Sequence, residues 1–141
     1  MNVVENLSDI SLHYFALMRR LSSKFDLTLS QALIRLYIPF DGITISDLSQ
    51  KLGIDISTMT RNIQRIEKKQ LITRAPNLSD KRSIKLSLSS RGERISKSLN
   101  EDISENIQKI INKYDSDTSN QIINSLESLG WDLYLYRQNM E

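Results

Sequence analysis

The segment Asp55-Ile56-Ser57-Thr58-Met59-Thr60-Arg61-Asn62-Ile63-Gln64-Arg65-Ile66-Glu67-Lys68-Lys69 decides the fold. Ile56, Met59, Ile63 and Ile66 recur at steps of three and four, the spacing that stacks side chains along one face of an α-helix. Ser57, Thr58, Arg61, Gln64, Arg65 and Lys68 fall on the other side. Short hydroxyls, an amide and guanidinium groups are the side chains that bond to base edges and phosphates in a DNA major groove. One stripe is therefore expected to be core, and the opposite face to meet an anionic partner.

Upstream, Thr44 has the position of an N-cap, with Asp47 at the third helical residue and Ile45, Leu48 and Leu52 facing inward. Gly53 stands where a left-handed helix end favours a residue without a Cβ, Ile54 is expected to be a buried pivot, and Asp55 caps the next helix. Helix, glycine turn and second helix make a helix-turn-helix. Before it, Leu7, Ile10, Tyr14, Leu17, Leu21 and Phe25 predict a first amphipathic helix capped by Asn6 or Ser8. Thr28 and Gln31 have capping-box spacing and open a short helix through about Ile38; Pro39 ends it and Phe40-Asp41-Gly42 turns.

Downstream the period changes. Leu71 to Ala75 is strand-like, and Ser83 to Leu88 alternates with Ile84, Leu86 and Leu88 on one face. The turn-rich Pro76 to Arg82 joins them into a β-hairpin, a wing with a basic tip. Ser89 or Ser90, the latter with Glu93, caps a long helix striped by Ile95, Leu99, Ile103, Ile107, Ile110 and Tyr114. Asp115 to Thr118 breaks it and caps a last helix carrying Ile122, Ile123, Leu126, Leu129, Leu133 and Tyr136. The expected class is mainly α with a small β-hairpin wing. The penultimate helix is longer than a compact wing domain needs, so its stripe and Leu126, Leu129, Trp131, Leu133 and Tyr134 are expected to pack a dimer.

The 141 residues suit one domain, 1–141, with 28–92 as the winged helix-turn-helix and 1–27 and 93–141 as helical dimerisation regions. Without cysteine, disulfide scaffolding and thiolate metal sites are excluded, and His13 alone makes no multi-histidine site. No Gly-rich phosphate loop or nucleophile motif occurs, so an enzyme is the least favoured class and no cofactor is expected. No apolar run approaches a membrane span and no signal core opens the chain, so a cytoplasmic protein without a membrane partner is expected. The net charge of +2 conceals segregation: Lys51 to Arg94 holds eleven basic and four acidic residues, the remainder eight and thirteen. A one-signed excess on the helix-turn-helix and wing is the footprint of a nucleic-acid surface.

The ordered series Leu27-Thr28-x-x-Gln31, Thr44-x-x-Asp47-Leu48-x-x-Lys51-Leu52-Gly53-Ile54-Asp55-x-Ser57-Thr58-Met59-Thr60-Arg61, Ile66-Glu67-Lys68-Lys69, Asp80-Lys81-Arg82 and Leu88-Ser89-x-x-Gly92 resembles the MarR family of bacterial and archaeal transcriptional regulators. The motifs cover Leu27 to Gly92, and the flanking helices match by architecture. The resemblance implies a homodimer interlocked by its first, fifth and sixth helices. It places two recognition helices in successive major grooves of a palindromic double-stranded operator and the wings in flanking minor grooves, most simply as a repressor. By that reading Ser57, Thr58, Thr60, Arg61, Gln64, Arg65 and Lys68 meet DNA from the helix, and Arg74, Asp80, Lys81 and Arg82 from the wing. Arg82 fits a narrow minor groove, with Asp80 or Arg74 orienting it; the alternative for Asp80 is an Asx turn that only closes the loop. Lys69 and Lys85 add phosphate attraction. Members commonly carry glycine where this chain has Gln70, so the turn into the wing is expected to differ slightly.

The resemblance also implies a small aromatic or phenolic effector bound between the dimer helices and the wing domain, near His13, Tyr14, Arg19, Tyr37 and Phe40. The competing reading is a winged-helix protein–protein interaction module without specific DNA binding. It gains ground if Arg61, Arg65 and Arg82 are locked in intramolecular salt bridges.

Overall fold

A computed structural model describes residues 2–140. The chain runs α1 (Val3–Ser23), α2 (Leu29–Leu36), β1 (Ile43–Thr44), α3 (Ile45–Leu52), α4 (Ile56–Lys68), β2 (Ile72–Pro76), β3 (Ile84–Leu88), α5 (Ser90–Ile111) and α6 (Ser116–Gln138). It divides after Ile103 into two compact units.

The first unit is held by a core of Met18, Leu21, Ile34, Leu48, Met59, Ile63, Ile66, Leu86 and Leu99, drawn from α1 through the start of α5. Met59 and Ile63 are wholly buried, so the α4 stripe seats against the rest of the unit as its spacing predicts. Ile56 is the exception: it is 57% exposed because it opens the helix beside the exposed Asp55, where no element covers the stripe. Gly53 ends α3 at φ 65°, ψ 35°, and its N–H returns to the α3 carbonyls, the left-handed closure that reorients the chain into α4.

The expected cap on α1 is corrected. The helix starts a turn earlier, at Val3, because Asn2 and Glu5 form the capping box there: Glu5 N–H donates to Asn2 Oδ1 at 2.9 Å and Asn2 N–H to Glu5 Oε2 at 2.9 Å. Thr28 and Gln31 form their box as expected, but α2 stops at Leu36, with Tyr37 as C-cap. Ser89 rather than Ser90 caps α5, its Oγ accepting the Gly92 N–H at 3.0 Å.

The hairpin is part of a three-stranded antiparallel sheet ordered β1-β3-β2, with Ile43 and Arg74 flanking Leu86. β1 is two residues long, too short to show a period of two, which is why the sequence pattern does not reveal it. Leu86 is buried in the middle strand, whereas Ile84 is 46% exposed near the wing tip and is not part of the buried face.

Gln70 adopts φ 61° after α4, so the left-handed turn into β2 is retained with a Cβ present. Such a residue costs about 1 kcal/mol relative to glycine. Gln70→Gly is expected to stabilise the fold by about 1 kcal/mol, read as a rise in urea midpoint; an unchanged or lower midpoint contradicts it.

The second unit, 104–141, carries the end of α5 and all of α6. Asp115 caps α6 by accepting the Thr118 N–H at 2.8 Å. No described α6 residue is buried; Ile123, Leu126, Trp131, Leu133 and Tyr136 are all at least half exposed. Among the described residues, no helix is long and apolar enough to cross a membrane.

Candidate nucleic-acid interface

Asp55 organises the entry to α4. Its Oδ1 accepts the Thr58 N–H at 2.9 Å and the Ser57 Oγ–H at 2.6 Å, and its Oδ2 the Thr58 Oγ1–H at 2.7 Å. The hydroxyl bonds from Ser57 and Thr58, with the Thr58 N–H, hold this carboxyl well below the usual carboxylate range. Thr60 Oγ1 donates to the Ile56 carbonyl at 2.8 Å. Thus Ser57 and Thr58 spend their hydroxyl protons on the Asp55 cap and Thr60 on the helix backbone, which leaves each oxygen its lone pairs as acceptors. They are set up to accept from exocyclic amino groups, the donors of cytosine and adenine in the major groove.

Arg61, Gln64, Arg65 and Lys68 continue along the exposed side of α4. Arg61 Nη2 donates to Thr58 Oγ1 at 3.4 Å. Among the described residues, Arg61, Arg65 and Arg82 form no ion pair. The condition that favours a pure interaction module, guanidinium groups locked onto acidic neighbours, is therefore not met by these three.

Arg74 is different. Its Nε donates to Glu67 Oε2 at 3.0 Å and its Nη2 to Glu67 Oε1 at 2.6 Å, a bidentate pair between β2 and the end of α4. The Glu67 bonds raise the Arg74 pKa. This pair ties the wing to the helix and leaves Arg74 less free to reach outward than Arg61 or Arg82. Nor does either expected partner hold the Arg82 guanidinium: Asp80 Oδ1 accepts the Arg82 backbone N–H at 3.0 Å, the Asx geometry of a loop-closing residue. Lys81 and Arg82 are exposed at the loop. Lys69 turns inward, donating to the Asp26 carbonyl and to Gln31 Oε1 at 2.8 Å, so it staples the α1–α2 connection to the end of α4.

A second cluster lies on the α1, α2 and α5 side. Arg35, which is not among the residues expected from sequence, is only 5% exposed. Its Nη1 donates to Ser96 Oγ at 2.7 Å and Asn100 Oδ1 at 3.0 Å, while Nε and Nη2 are buried without a hydrogen-bond partner. Burial lowers its pKa, and Tyr14 opposes that shift. The half-buried Tyr14 hydroxyl is raised by burial and by neighbouring Tyr37, with Arg35 acting against them. Tyr37 also carries the Lys51 ammonium 5.4 Å from its ring centre. Of the five residues expected near an effector, Tyr14 and Tyr37 belong to this neighbourhood; His13 and Arg19 are exposed on α1, and Phe40 is 97% exposed on the α2–β1 turn. One signal in the sequence does point to Arg35: it lies three and four residues after Ala32 and Gln31, both buried, on the inward face of α2.

Residues 27–84 match the model of the MarR family. Among solved structures, the chain is similar to wild-type MarR from E. coli in its apo form, at 20% identity and TM-score 0.79, covering 92% of this chain and 97% of that one. It is similar to a MarR transcriptional regulator from Methanosarcina mazei Go1 at 23% identity and TM-score 0.79, covering 92% and 94%. MepR from S. aureus in complex with DNA is 19% identical with TM-score 0.77, covering 94% and 98%. No curated protein matches the chain.

Proposed function

We propose that this chain, whose residues 27–84 match the model of the MarR family, is a winged helix-turn-helix regulator of that kind: a homodimeric, sequence-specific DNA-binding transcriptional regulator, acting as a repressor on a palindromic operator. The observation that carries the reading is the pairing of an α4 face bearing Arg61 and Arg65, free of ion pairs among the described residues, with a wing anchored to the same helix through Glu67 and Arg74. Helix and wing then move as one reading head. The MepR relative was solved bound to DNA, which supports the same use of this fold.

Two copies are needed because one α4 covers only half a palindrome. The exposed apolar residues of α6, and separately Val3, Val4, Ile10 and Leu12 of α1, supply surface for a partner to cover. Titrating the protein onto its own upstream DNA at two salt concentrations tests the reading. Expected are selective binding to a two-fold symmetric sequence and affinity falling steeply with salt as condensed counterions are released. Equal weak binding to every sequence overturns it.

Release by a small aromatic or phenolic anion belongs to the same proposal, with Arg35 as its anchor. The unpartnered Nε and Nη2 donors are buried, and such donors cost about 1–3 kcal/mol each until bonded. A carboxylate accepting both relieves that cost in the bidentate geometry guanidinium favours. Arg35→Met is expected to leave unfolding stability within about 1 kcal/mol of wild type, because a charge incompletely paired in the interior is replaced by an apolar chain. It is also expected to abolish the rise in melting temperature given by saturating benzoate. A benzoate response unchanged in the variant removes Arg35 from the role.

A further inference from the structure

The wing tip carries a side chain that neither core packing nor charge explains. Leu78 is 96% exposed, yet the loop around it is built rather than slack. Asn77, itself only 9% exposed, spans the loop mouth: its N–H donates to the Ser83 carbonyl at 3.1 Å and its Nδ2 to Ser83 Oγ at 2.9 Å. The Asn77 Oδ1 then accepts the Ser79 N–H at 3.1 Å, closing a turn directly over Leu78. On the far side, Ser83 N–H and Oγ–H both donate to the Asp80 carbonyl at 3.1 Å. These bonds hold an isobutyl group out in water on the same loop that carries the exposed Lys81 and Arg82.

An apolar side chain on a rigid, cation-flanked tip gains most when that tip is pressed against a surface that is anionic overall and apolar locally. The minor groove of a duplex has that character, since phosphates line its rim and deoxyribose carbons its walls, and proteins that enter it use apolar side chains beside basic ones. We infer that Leu78 seats against the sugar walls of the minor groove at the wing, setting affinity and sensitivity to groove shape where Arg82 supplies charge. The inference rests on the DNA-binding reading above. Leu78 neither donates nor accepts, so it contributes by excluding water, and its contribution does not depend on salt.

The test compares wild type, Leu78→Ala and Leu78→Met on an operator selected from random DNA and on a scrambled duplex, by fluorescence anisotropy across a salt series. Burial of part of a leucine side chain predicts about tenfold weaker operator binding for Leu78→Ala. The slope of log affinity against log salt and the thermal midpoint should stay at their wild-type values, and Leu78→Met should remain within about threefold of wild type, because it keeps the apolar volume. Unchanged operator affinity for Leu78→Ala, a reduced salt slope, or a lowered midpoint would each overturn the inference. If wild type itself does not prefer the selected operator, the regulator reading fails and this inference falls with it. A selective wild type with an indifferent Leu78→Ala overturns this inference alone.

Discussion

Gly92→Ala is expected to destabilise the fold by about 3 kcal/mol or more, the range of forced overpacking in a closed interior. A Cβ at Gly92 would stand 2.0 Å from the Leu71 carbonyl oxygen, 2.9 Å from its carbon and 3.3 Å from its Cα. These are backbone atoms, so no rotamer change can relieve the clash. Nor can that backbone easily retreat. Leu71 is 5% exposed and its carbonyl accepts the Ser89 N–H at 2.9 Å. Ser89 Oγ meanwhile donates to the Gln70 carbonyl at 2.6 Å and accepts the Gly92 N–H at 3.0 Å. The start of α5 is thereby knotted to the turn between α4 and β2. Helix propensity alone predicts the opposite sign, since alanine in a helix is favoured over glycine by about 1 kcal/mol. The clash outweighs it. Urea unfolding followed by far-ultraviolet circular dichroism decides the matter: a loss under about 1 kcal/mol would mean that α5 can shift away from Leu71 at little cost.

That knot illustrates what a sequence displays and what it hides. The helix-turn-helix is legible because its signals are local: Thr44 and Asp55 cap, Gly53 turns, and Met59, Ile63 and Ile66 repeat within one helix. The left-handed turn at Gln70 has no such local signal: it is expected only through the family resemblance, whose members commonly carry glycine there. Gly92 stands in plain view, but its purpose depends on Leu71, twenty-one residues away, and no period or capping rule connects them. β1 is hidden because two residues cannot alternate, and its role comes from pairing with β3. Arg74 and Asp80 show the same limit at the interface. Their charge is obvious, but whether each faces outward is settled by Glu67 and by the Arg82 backbone N–H. Arg35 is the sharpest case: its spacing from Ala32 sets it on the inward face of α2, but an arginine there reads as solvated until that face proves to be buried. At the start of α1 several polar residues compete for the cap, and Asn2 prevails over Asn6 and Ser8 because Glu5 stands three residues on to complete its box.

Arg61→Ala is expected to weaken operator binding by about 30- to 20,000-fold, which follows from about 1–3 kcal/mol per bidentate base contact made once in each half of the proposed two-fold complex. The doubling is the reason a single codon change has so large an effect. Arg61 sits nearly two turns beyond the Asp55 cap, exposed, with Nη2 only loosely held by Thr58 at 3.4 Å, so its fork is available without breaking an ion pair. Arg61→Lys should not rescue it, because an ammonium group cannot reproduce the planar two-donor geometry. Lys68→Ala provides the contrast: with Lys68 on phosphate in each protomer of the proposed dimer, its removal is expected to weaken every sequence alike and to lower the salt slope by about 2. Arg74→Met should cost operator affinity less than Arg61→Ala, and by loosening the wing rather than by removing a base-reading group, because both donors observed on Arg74 are already committed to Glu67. The discriminating measurement is the ratio of operator to scrambled-duplex affinity for each variant at fixed salt. If Arg61→Ala reduces both affinities by the same factor, Arg61 anchors phosphate rather than reading bases. Sequence choice would then pass to Gln64, Arg65 and the hydroxyl oxygens of Ser57 and Thr58, which Asp55 holds in place from the N-cap of α4.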